Sequence, residues 1–350
     1  MTAAVAREAF GAEFVGAAGF LNTATYGLPP RFLTDALQTC LTQWQAGTMD
    51  ATSFDEPVHA GRAGYAALAG VPVDSVAMGG TVSALLGLVA AAIPDGSRVG
   101  TLVGEFTSTT FPFAAQVARG VTVTELTADE LVSSAGRFDV VTASLVQSAN
   151  GAVLDAAALR RAVAGTDTLT VIDITQALGW KKLDVGWADV TVAAVYKWLL
   201  SPRGTAWMSL SERVSRIMTP HAGNWYAGEL PWQTIYGLPL RLAHSARRFD
   251  ASPAWFSALG CGLTLPWFAS LDGDAVESHA VGLANRARLE LHLPQHDSAI
   301  VSIPIADAAE RLERAGIRAS VRAGAVRVGF HLYNSDNDLD RLLDALGDNG

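Results

Sequence analysis

Residues 189–205, DVTVAAVYKWLLSPRGT, give the strongest indication of both the fold and the chemistry of this chain. The run 189–196 is apolar and rich in β-branched residues, which is typical of a strand buried on both faces. Lys197 follows it directly, and Ser-Pro-Arg-Gly at 201–204 then breaks the chain direction. A lysine between two apolar segments loses solvation, which favours the neutral amine, a nucleophile that forms Schiff bases.

Lysine is rare in this chain, and its rarity strengthens the interpretation of Lys197. Of the 25 basic residues only three are lysines, namely Lys181, Lys182 and Lys197. Arginine cannot act as an amine nucleophile, because a guanidinium stays protonated. The residue by itself leaves an alternative open, in which Lys197 extends its ammonium group from a loop into solvent.

Composition limits the class of protein. The chain has 350 residues, of which 50% are hydrophobic and 17% charged, so we expect a globular protein of two domains. The net charge of −9 disfavours nucleic acid or an anionic membrane surface as a partner, since both attract basic proteins. Two cysteines are too few for a disulfide framework, so a cytoplasmic location is expected.

Three further features bear on targeting, membranes and metals. The N-terminus includes Glu8 and Glu13 and lacks the basic and then apolar layout of a signal peptide. The longest apolar stretch, residues 84–93, is too short to span a bilayer. The seven histidines are scattered along the chain, so no metal site is predicted.

Strands and helices alternate on both sides of the Lys197 segment. Seven short apolar strands are predicted between residues 73 and 210, and helices separate most of them. This alternation predicts an α/β domain with a mostly parallel seven-stranded sheet and helices on both faces. Ligands of such sheets bind beyond the carboxyl ends of the strands, so candidate site residues are sought there.

The chain is predicted to divide into three parts. Residues 1–20 are expected to form a partly helical N-terminal arm and residues 21–235 the large domain. A long apolar helix, bent or broken at Pro266, is predicted at 251–271. Strands and helices then follow at 299–305, 307–315, 317–321, 325–330 and from Asn337 onward. We therefore assign residues 236–350 to a smaller C-terminal α+β domain.

Two strand ends could hold parts of one ligand. Asp173 closes an apolar strand, where it is either a turn cap or a carboxylate that keeps a cationic ring nitrogen protonated. Gln176 could reach the same ligand. Gly79-Gly80-Thr81 ends a strand and begins a helix, so it offers N–H groups and a hydroxyl to a phosphate, although an ordinary capped turn has the same pattern.

Two more residues complete a possible set of ligand partners. Phe106 follows another strand, where its ring could lie on a heteroaromatic ligand or pack in the core. Arg327 could bind a substrate carboxylate as a fork or occupy a solvated strand edge. Together these residues supply an amine, a carboxylate, a phosphate cradle, a flat aromatic ring and an anion fork, which are the groups that pyridoxal phosphate requires.

These motifs resemble the class V aminotransferase family of fold-type-I pyridoxal-phosphate enzymes, in the branch of kynureninase, isopenicillin-N epimerase and the C–S lyases. The resemblance extends over residues 20–345. VIDITQALG (171–179) resembles the Asp-x-x-Gln segment, which implies Asp173 on the pyridine nitrogen and Gln176 near the ring hydroxyl. YKWLLSPRG (196–204) resembles the Schiff-base segment, which implies Lys197 as the covalent anchor and Tyr196 as a phosphate partner.

The remaining motifs imply cofactor and substrate contacts. GGTVSALLG (79–87) resembles the phosphate turn and EFTST (105–109) the ring-stacking segment, which implies contacts from Gly80, Thr81, Val82 and Phe106. GNWYAG and RRFDASPAW resemble segments that meet the cofactor of the neighbouring subunit, which implies a homodimer with Trp225 and Ser252 at the interface. The C-terminal signature implies Arg327 on the substrate carboxylate, and we assign Asn22 and Gln147 to the same substrate site.

The chain also departs from the family pattern. The desulfurases insert a loop with a nucleophilic cysteine between the two arginines that match Arg322 and Arg327. The residues between these two positions here, AGAV, include no cysteine, so a persulfide-forming desulfurase is not expected. The usual Gly-Thr after the Arg-Phe-acid motif is Ser252-Pro253 in this chain.

The resemblance implies an enzyme that acts at Cα of an amino acid, with Lys197 as the general base. The preferred expectation is β-elimination of the C–S lyase type. An aminotransferase is the first alternative, and an amino-acid epimerase or a non-catalytic domain of this fold follows. The expected partners are a small amino-acid substrate and a second copy of the chain.

Overall fold

The structure is a computed structural model that describes residues 6–347. The described chain begins with an antiparallel hairpin of two strands, β1 (Ala6–Ala9) and β2 (Ala12–Val15). The predicted partly helical arm is therefore wrong over these residues, and residues 1–5 of it lie outside the described part. Phe10 and Gly11 join the strands with φ of 48° and 74°, the left-handed pair of a two-residue hairpin turn.

The predicted mostly parallel seven-stranded sheet is confirmed. Its strands are β3 (Val76–Gly79), β4 (Arg98–Leu102), β5 (Thr122–Leu126), β6 (Val140–Ser144), β7 (Leu169–Asp173), β8 (Val190–Ala194) and β9 (Ala206–Leu210). Their spatial order is β3-β9-β8-β7-β6-β4-β5. Strand β9 runs opposite to the other six strands of this sheet, so its pairings with β3 and β8 are antiparallel.

Helices cover both faces of the sheet. The helices of the described chain are α1 (Arg31–Ala46), α2 (Asp55–Ala69), α3 (Val82–Ala92), α4 (Thr107–Ala114), α5 (Ala128–Ser134), α6 (Ala156–Val163), α7 (Glu212–Ile217), α8 (Trp255–Ser270), α9 (Gly273–Glu290), α10 (Ala308–Arg314) and α11 (Asp336–Leu346). Strand β8 is buried throughout, and its successive side chains enter two different apolar clusters. Ala193 belongs to one cluster and Val192 to the other, as the alternation of a strand requires.

Helix α8 packs closely along α2. A Cβ on Gly64 would meet Leu265 at 2.7 Å, so glycine is needed at this crossing. The helix continues through Pro266, and the break that the sequence predicts there does not occur. The boundary at residues 235 and 236 stays a prediction. Helix α8, which follows this boundary in sequence, contacts helix α2, which precedes it.

The C-terminal region is α+β, as predicted. It contains a three-stranded antiparallel sheet in the order β10 (Ile300–Ile303), β12 (Ala325–Gly329) and β11 (Ser320–Arg322). Helix α9, which was not predicted from the sequence, packs on this sheet together with α11. The N-terminal segment is bound to the same sheet, because the Gly329 amide donates to the Leu21 carbonyl at 2.8 Å.

One connecting segment exposes a concentration of apolar side chains. We call residues 230–240 the apolar loop. Tyr236 and Leu238 in it are 86% and 88% exposed, and Leu230 and Leu240 are also exposed. Among the described residues, no helix combines the length and the apolar character that crossing a bilayer demands.

Candidate active site

A cavity of about 150 Å³ lies where the carboxyl ends of the central strands meet the first turns of α3 and α4. It brings together eight of the predicted site residues: Gly80, Thr81, Val82, Phe106, Asp173, Gln176, Tyr196 and Lys197. Five predicted residues do not line it, namely Asn22, Gln147, Trp225, Ser252 and Arg327. The parallel strands explain the convergence, because their carboxyl ends share one edge of the sheet.

Lys197 stands in the turn that follows β8 and is only 6% exposed. Its Nζ lies 5.2 Å from the ring centre of Phe106 and 5.9 Å from that of Tyr196. Within residues 6–347 no carboxylate forms an ion pair with it. Burial lowers the pKa of Lys197 to about 8, although the negative charge of Asp173 opposes the shift. The alternative of an ammonium group extended into solvent is therefore wrong.

Asp173 is the last residue of β7 and is 5% exposed. Its Oδ1 accepts the Thr175 backbone N–H at 2.8 Å, and its Oδ2 accepts the Thr109 hydroxyl at 3.1 Å. The turn-cap interpretation is thus realised, and the carboxylate also lines the cavity. Burial raises the pKa of Asp173 above its usual value.

Gln176 connects three segments around the cavity. Its Nε2 donates to the Ala24 carbonyl and to the Ser148 hydroxyl, both at 3.0 Å. Its Oε1 accepts the indole N–H of Trp198 at 2.8 Å. This last contact holds the side chain of Trp198, the residue that directly follows Lys197.

Phe106 stands at the start of α4 with its ring at the cavity, 46% exposed, so the core-packing alternative is wrong. The preceding residue, Glu105, is buried and was not singled out from the sequence. Its carboxylate accepts the Ser144 backbone N–H at 2.6 Å and the Phe106 backbone N–H at 2.7 Å. Burial raises the pKa of Glu105. These bonds hold the loop that carries Phe106 against the end of β6.

The first turn of α3 offers donors suited to an anion. Thr81 caps the helix, because its hydroxyl accepts the Ala84 N–H at 3.1 Å. The hydroxyls of Ser83 and Thr205 line the same cavity, as does Arg203, which the sequence analysis did not select. The Arg203 guanidinium lies 5.3 Å from the ring centre of Tyr196.

Arg327 is buried on β12, the central strand of the small sheet, so the solvated-edge alternative is wrong. Its Nη1 donates to the Ser148 carbonyl and hydroxyl, and its Nη2 donates to the Thr25 hydroxyl at 2.8 Å. Its Nε has no partner within the described chain. Burial lowers the pKa of Arg327 to about 10. Ser148 lines the cavity, so Arg327 stands directly behind the cavity wall.

The other four predicted residues lie outside the cavity. Asn22 forms a bridge beside Gly329, and its Oδ1 is buried without a partner among the described residues. Gln147 donates from Nε2 to the Val103 carbonyl at 3.2 Å. The Trp225 ring lies 5.0 Å from that of Trp232. Ser252 lies in the connection between a 3₁₀ turn, Ala246–Phe249, and helix α8.

Comparison with known proteins gives one family and one fold. The sequence profile of the family described as "Aminotransferase class-V" matches residues 113–303. No curated protein sequence matches the chain significantly. The fold is similar to that of the cysteine desulfurase CsdA from Escherichia coli, with a TM-score of 0.80, 19% identity and 94% of each chain covered.

Two further solved structures show the same fold. The cysteine desulfurase from Thermococcus onnurineus NA1 has a TM-score of 0.80 and 17% identity, with 94% of each chain covered. The cystine C-S lyase C-DES has a TM-score of 0.81 and 16% identity, with 95% of this chain and 97% of that chain covered. At these identities the likeness is one of fold.

Proposed function

Because the chain belongs to the aminotransferase class-V family and is therefore a pyridoxal-phosphate enzyme, we propose that it eliminates the β-substituent of an amino acid, as a C–S lyase does. One observation supports the catalytic part of this proposal. The buried amine of Lys197 and the buried carboxylate of Asp173 line the same cavity at the end of the sheet. Both groups have perturbed pKa values, which is typical of catalytic sites.

The donor set of the cavity fits the cofactor. Pyridoxal phosphate, when bound, supplies an aldehyde that condenses with amines and a pyridinium ring that withdraws electrons from Cα. We propose Lys197 for the aldehyde, Asp173 for the ring nitrogen and Phe106 for the ring face. The residues at the start of α3, namely Gly80, Thr81 and Val82, would hold the phosphate. Gln176 and Tyr196 complete the proposed cofactor contacts.

Proton transfer at Cα is assigned to Lys197. Burial favours the neutral form of its Nζ, and a neutral amine can accept the Cα proton as general base. Arg327 would hold the substrate carboxylate, since its hydrogen bonds within the described chain go to neutral oxygens. We propose Asn22 and Gln147 as further contacts near that carboxylate.

The thiols of the chain favour elimination over persulfide formation. Cys40 and Cys261 are both buried, and neither lines the cavity. Burial raises the pKa of Cys261 to about 11, so this thiol is a poor nucleophile. Sulfur cleaved from Cβ would therefore leave as a free thiol or persulfide rather than pass to a cysteine of the enzyme. The cystine C-S lyase among the fold neighbours is consistent with this proposal.

Product analysis tests the reaction type. Holoenzyme is incubated with cysteine, cystine and cysteine conjugates one at a time, and pyruvate, ammonia and thiol or persulfide are quantified. Elimination yields pyruvate and ammonia in equal amounts. Amino transfer to an added keto acid without free ammonia would contradict the proposal, and so would appearance of the opposite enantiomer without any keto acid.

We also propose that the active enzyme is a homodimer with its cofactor sites at the interface. Trp225 and Ser252 lie outside the cavity of their own chain, which suits residues that reach a neighbour's cofactor. The apolar loop exposes side chains that a second copy would cover. Sedimentation velocity of the holoenzyme at micromolar concentration should give twice the chain mass, and a monomer would contradict the proposal.

A cytoplasmic location is proposed from the thiols. Both cysteines are free, and free buried thiols are typical of proteins from reducing compartments. Detection of the native protein in the cytoplasmic fraction of its host cells would support this location.

A further inference from the structure

We propose that Arg203 binds the phosphate group of the cofactor and is the main cationic partner of that group within this chain. The inference rests on the proposed function, because it assumes that the cavity holds pyridoxal phosphate. It assigns a binding role to a residue in the turn after Lys197, and three observations support it: the residues that line the cavity, the place of the turn, and the contact between Arg203 and Tyr196.

The first observation concerns charge. Among the described residues that line the cavity, only Lys197 and Arg203 are basic. Lys197 is needed for the aldehyde, so Arg203 is the cation left for a phosphate group of about −2 charge. The N-terminus of α3 supplies only about half a positive charge, and the hydroxyls of Thr81, Ser83 and Thr205 are neutral.

Arg203 is also available for a new ionic partner. No carboxylate in residues 6–347 forms an ion pair with it. Other arginines of the described chain have such a partner, as Arg62 has in Asp250 and Arg213 has in Asp189, both at 2.5 Å. An exposed guanidinium at the wall of a cavity, without an acidic partner, is suited to an anionic ligand.

The second observation concerns position. The turn of Arg203 lies against the segment that leads into α3, because a Cβ on Gly80 would be 3.8 Å from the Gly204 carbonyl oxygen. Gly204 has a φ of +132°, a conformation that requires glycine. The same glycine approaches the start of α8, where a Cβ would be 3.4 Å from Ser257. Arg203 is therefore held at the end of the cavity where the phosphate cradle lies.

The third observation concerns orientation. The Arg203 guanidinium lies over the Tyr196 ring at 5.3 Å, a cation–π contact between two residues that both line the cavity. Such a contact restricts the guanidinium before the ligand arrives, so less conformational entropy is lost on binding. A planar guanidinium can then donate two parallel hydrogen bonds to phosphate oxygens.

Comparison of pyridoxal phosphate with pyridoxal tests the inference directly, because pyridoxal has a neutral hydroxyl in place of the phosphate group. Cofactor-free protein is titrated with each compound, and Kd is taken from the absorbance of the Lys197 adduct. In Arg203→Met the Kd of pyridoxal phosphate should rise about tenfold or more, as loss of a charged hydrogen-bond pair implies. The Kd of pyridoxal should stay within about twofold of the parent value.

Arg322→Met is the matched control. Like Arg203, Arg322 bears a positive charge that lowers the pKa of Lys197, but it does not line the cavity. Its removal should leave the ratio of the two Kd values within about twofold of the parent ratio. Should Arg203→Met fail to fold by circular dichroism, Arg203→Gln keeps a polar side chain without the charge and should give the same change in the ratio.

The possible outcomes separate this inference from the proposed function. If the parent protein takes up pyridoxal phosphate but Arg203→Met keeps the parent ratio of Kd values, the assignment of Arg203 is wrong and the proposed function stands. An equal loss for both compounds would also overturn the assignment, because it would show a general effect on the cavity. If the parent protein forms no adduct with either compound, the proposed function itself fails.

Discussion

Two buried carboxylates in this chain have opposite surroundings. Asp250 accepts hydrogen bonds from the Arg62 guanidinium at 2.5 Å and from the Met78 backbone N–H at 2.8 Å. Within residues 6–347, Asp173 accepts hydrogen bonds from neutral donors alone, Thr175 and Thr109, and it faces the cavity. A buried carboxylate is stable when a cation compensates its desolvation. Asp250 has that cation within the chain, whereas Asp173 leaves room for a cation that a ligand would bring.

The lysines show the same contrast. Lys181 pairs with Glu277 at 2.7 Å and Lys182 with Asp274 at 2.9 Å. Lys197 is the most buried of the three and forms no such pair within the described chain. A buried charged group without an ion pair reduces stability, so two such groups at one cavity of the described chain are typical of a functional site.

Removal of the unpaired amine should have the largest effect. Lys197→Ala removes both the proposed covalent anchor and the proposed base, so turnover should fall by about 10⁴-fold or more. The absorbance of the adduct between the cofactor and Lys197 should disappear as well. Lys182→Ala, which removes an exposed and paired lysine, should retain both properties. Turnover in Lys197→Ala equal to that of the parent would show that the buried, unpaired amine of Lys197 is not needed for catalysis.

Removal of the Arg62 guanidinium, the cation paired with Asp250, should have the next largest effect, and this effect is on stability. Arg62→Met leaves the Asp250 carboxylate buried without its cation, which should cost about 3–5 kcal/mol of the free energy of unfolding. Denaturant unfolding of the cofactor-free protein measures this value. The double variant Arg62→Met/Asp250→Asn should recover part of the loss, since the unpaired charge is removed. A loss below about 1 kcal/mol in the single variant would contradict the structural role of the pair.

Neutralisation of Asp173 should affect turnover more than stability, which is the reverse of the effect expected for Arg62→Met. Asp173→Asn breaks no ion pair, so the free energy of unfolding of the cofactor-free protein should fall by less than about 1 kcal/mol. Turnover should fall by about ten- to a hundredfold, because a hydrogen bond to a charged group contributes about 1.5–3 kcal/mol. A stability loss as large as that of Arg62→Met, with normal turnover, would make Asp173 a structural residue like Asp250.

The smallest expected effect is a shift in pH dependence. The amine of Lys197 reacts with an aldehyde only when neutral, so the rate of cofactor uptake should rise with pH and level off above the pKa of about 8. In Asp173→Asn the midpoint should move to lower pH, because the carboxylate that favours the ammonium form is absent. Stopped-flow absorbance measures both midpoints. A midpoint near pH 10 in the parent protein would mean that burial does not lower the pKa of Lys197.

The sequence predicted the sheet and the core of the cavity because both depend on local patterns. Apolar runs that end at Asp173 and Lys197 are strands, and parallel strands bring their ends together. Arg203 and Glu105 could not be selected in this way. The direction of a side chain in a turn depends on packing between distant segments, such as the contact between Gly80 and Gly204.

Two errors have identifiable causes. The hairpin β1–β2 was missed because Phe10, with its φ of 48°, is an unusual residue for the left-handed conformation that its turn requires. Helix α9 was missed although its signal was present. Its buried residues include Val276, Ala280, Leu283, Ala284 and Ala287, which have helical spacing, but most of them are alanines and the apolar pattern is weak.

The apolar loop has a consequence for enzyme kinetics. If a second copy covers Tyr236 and Leu238, then dilution below the dimer dissociation constant exposes these side chains again by mass action. A diluted enzyme would lose specific activity and adsorb to vessel walls, and added detergent or carrier protein would reduce that loss. For such a dimer, a turnover number would have to be reported together with the enzyme concentration at which it was measured.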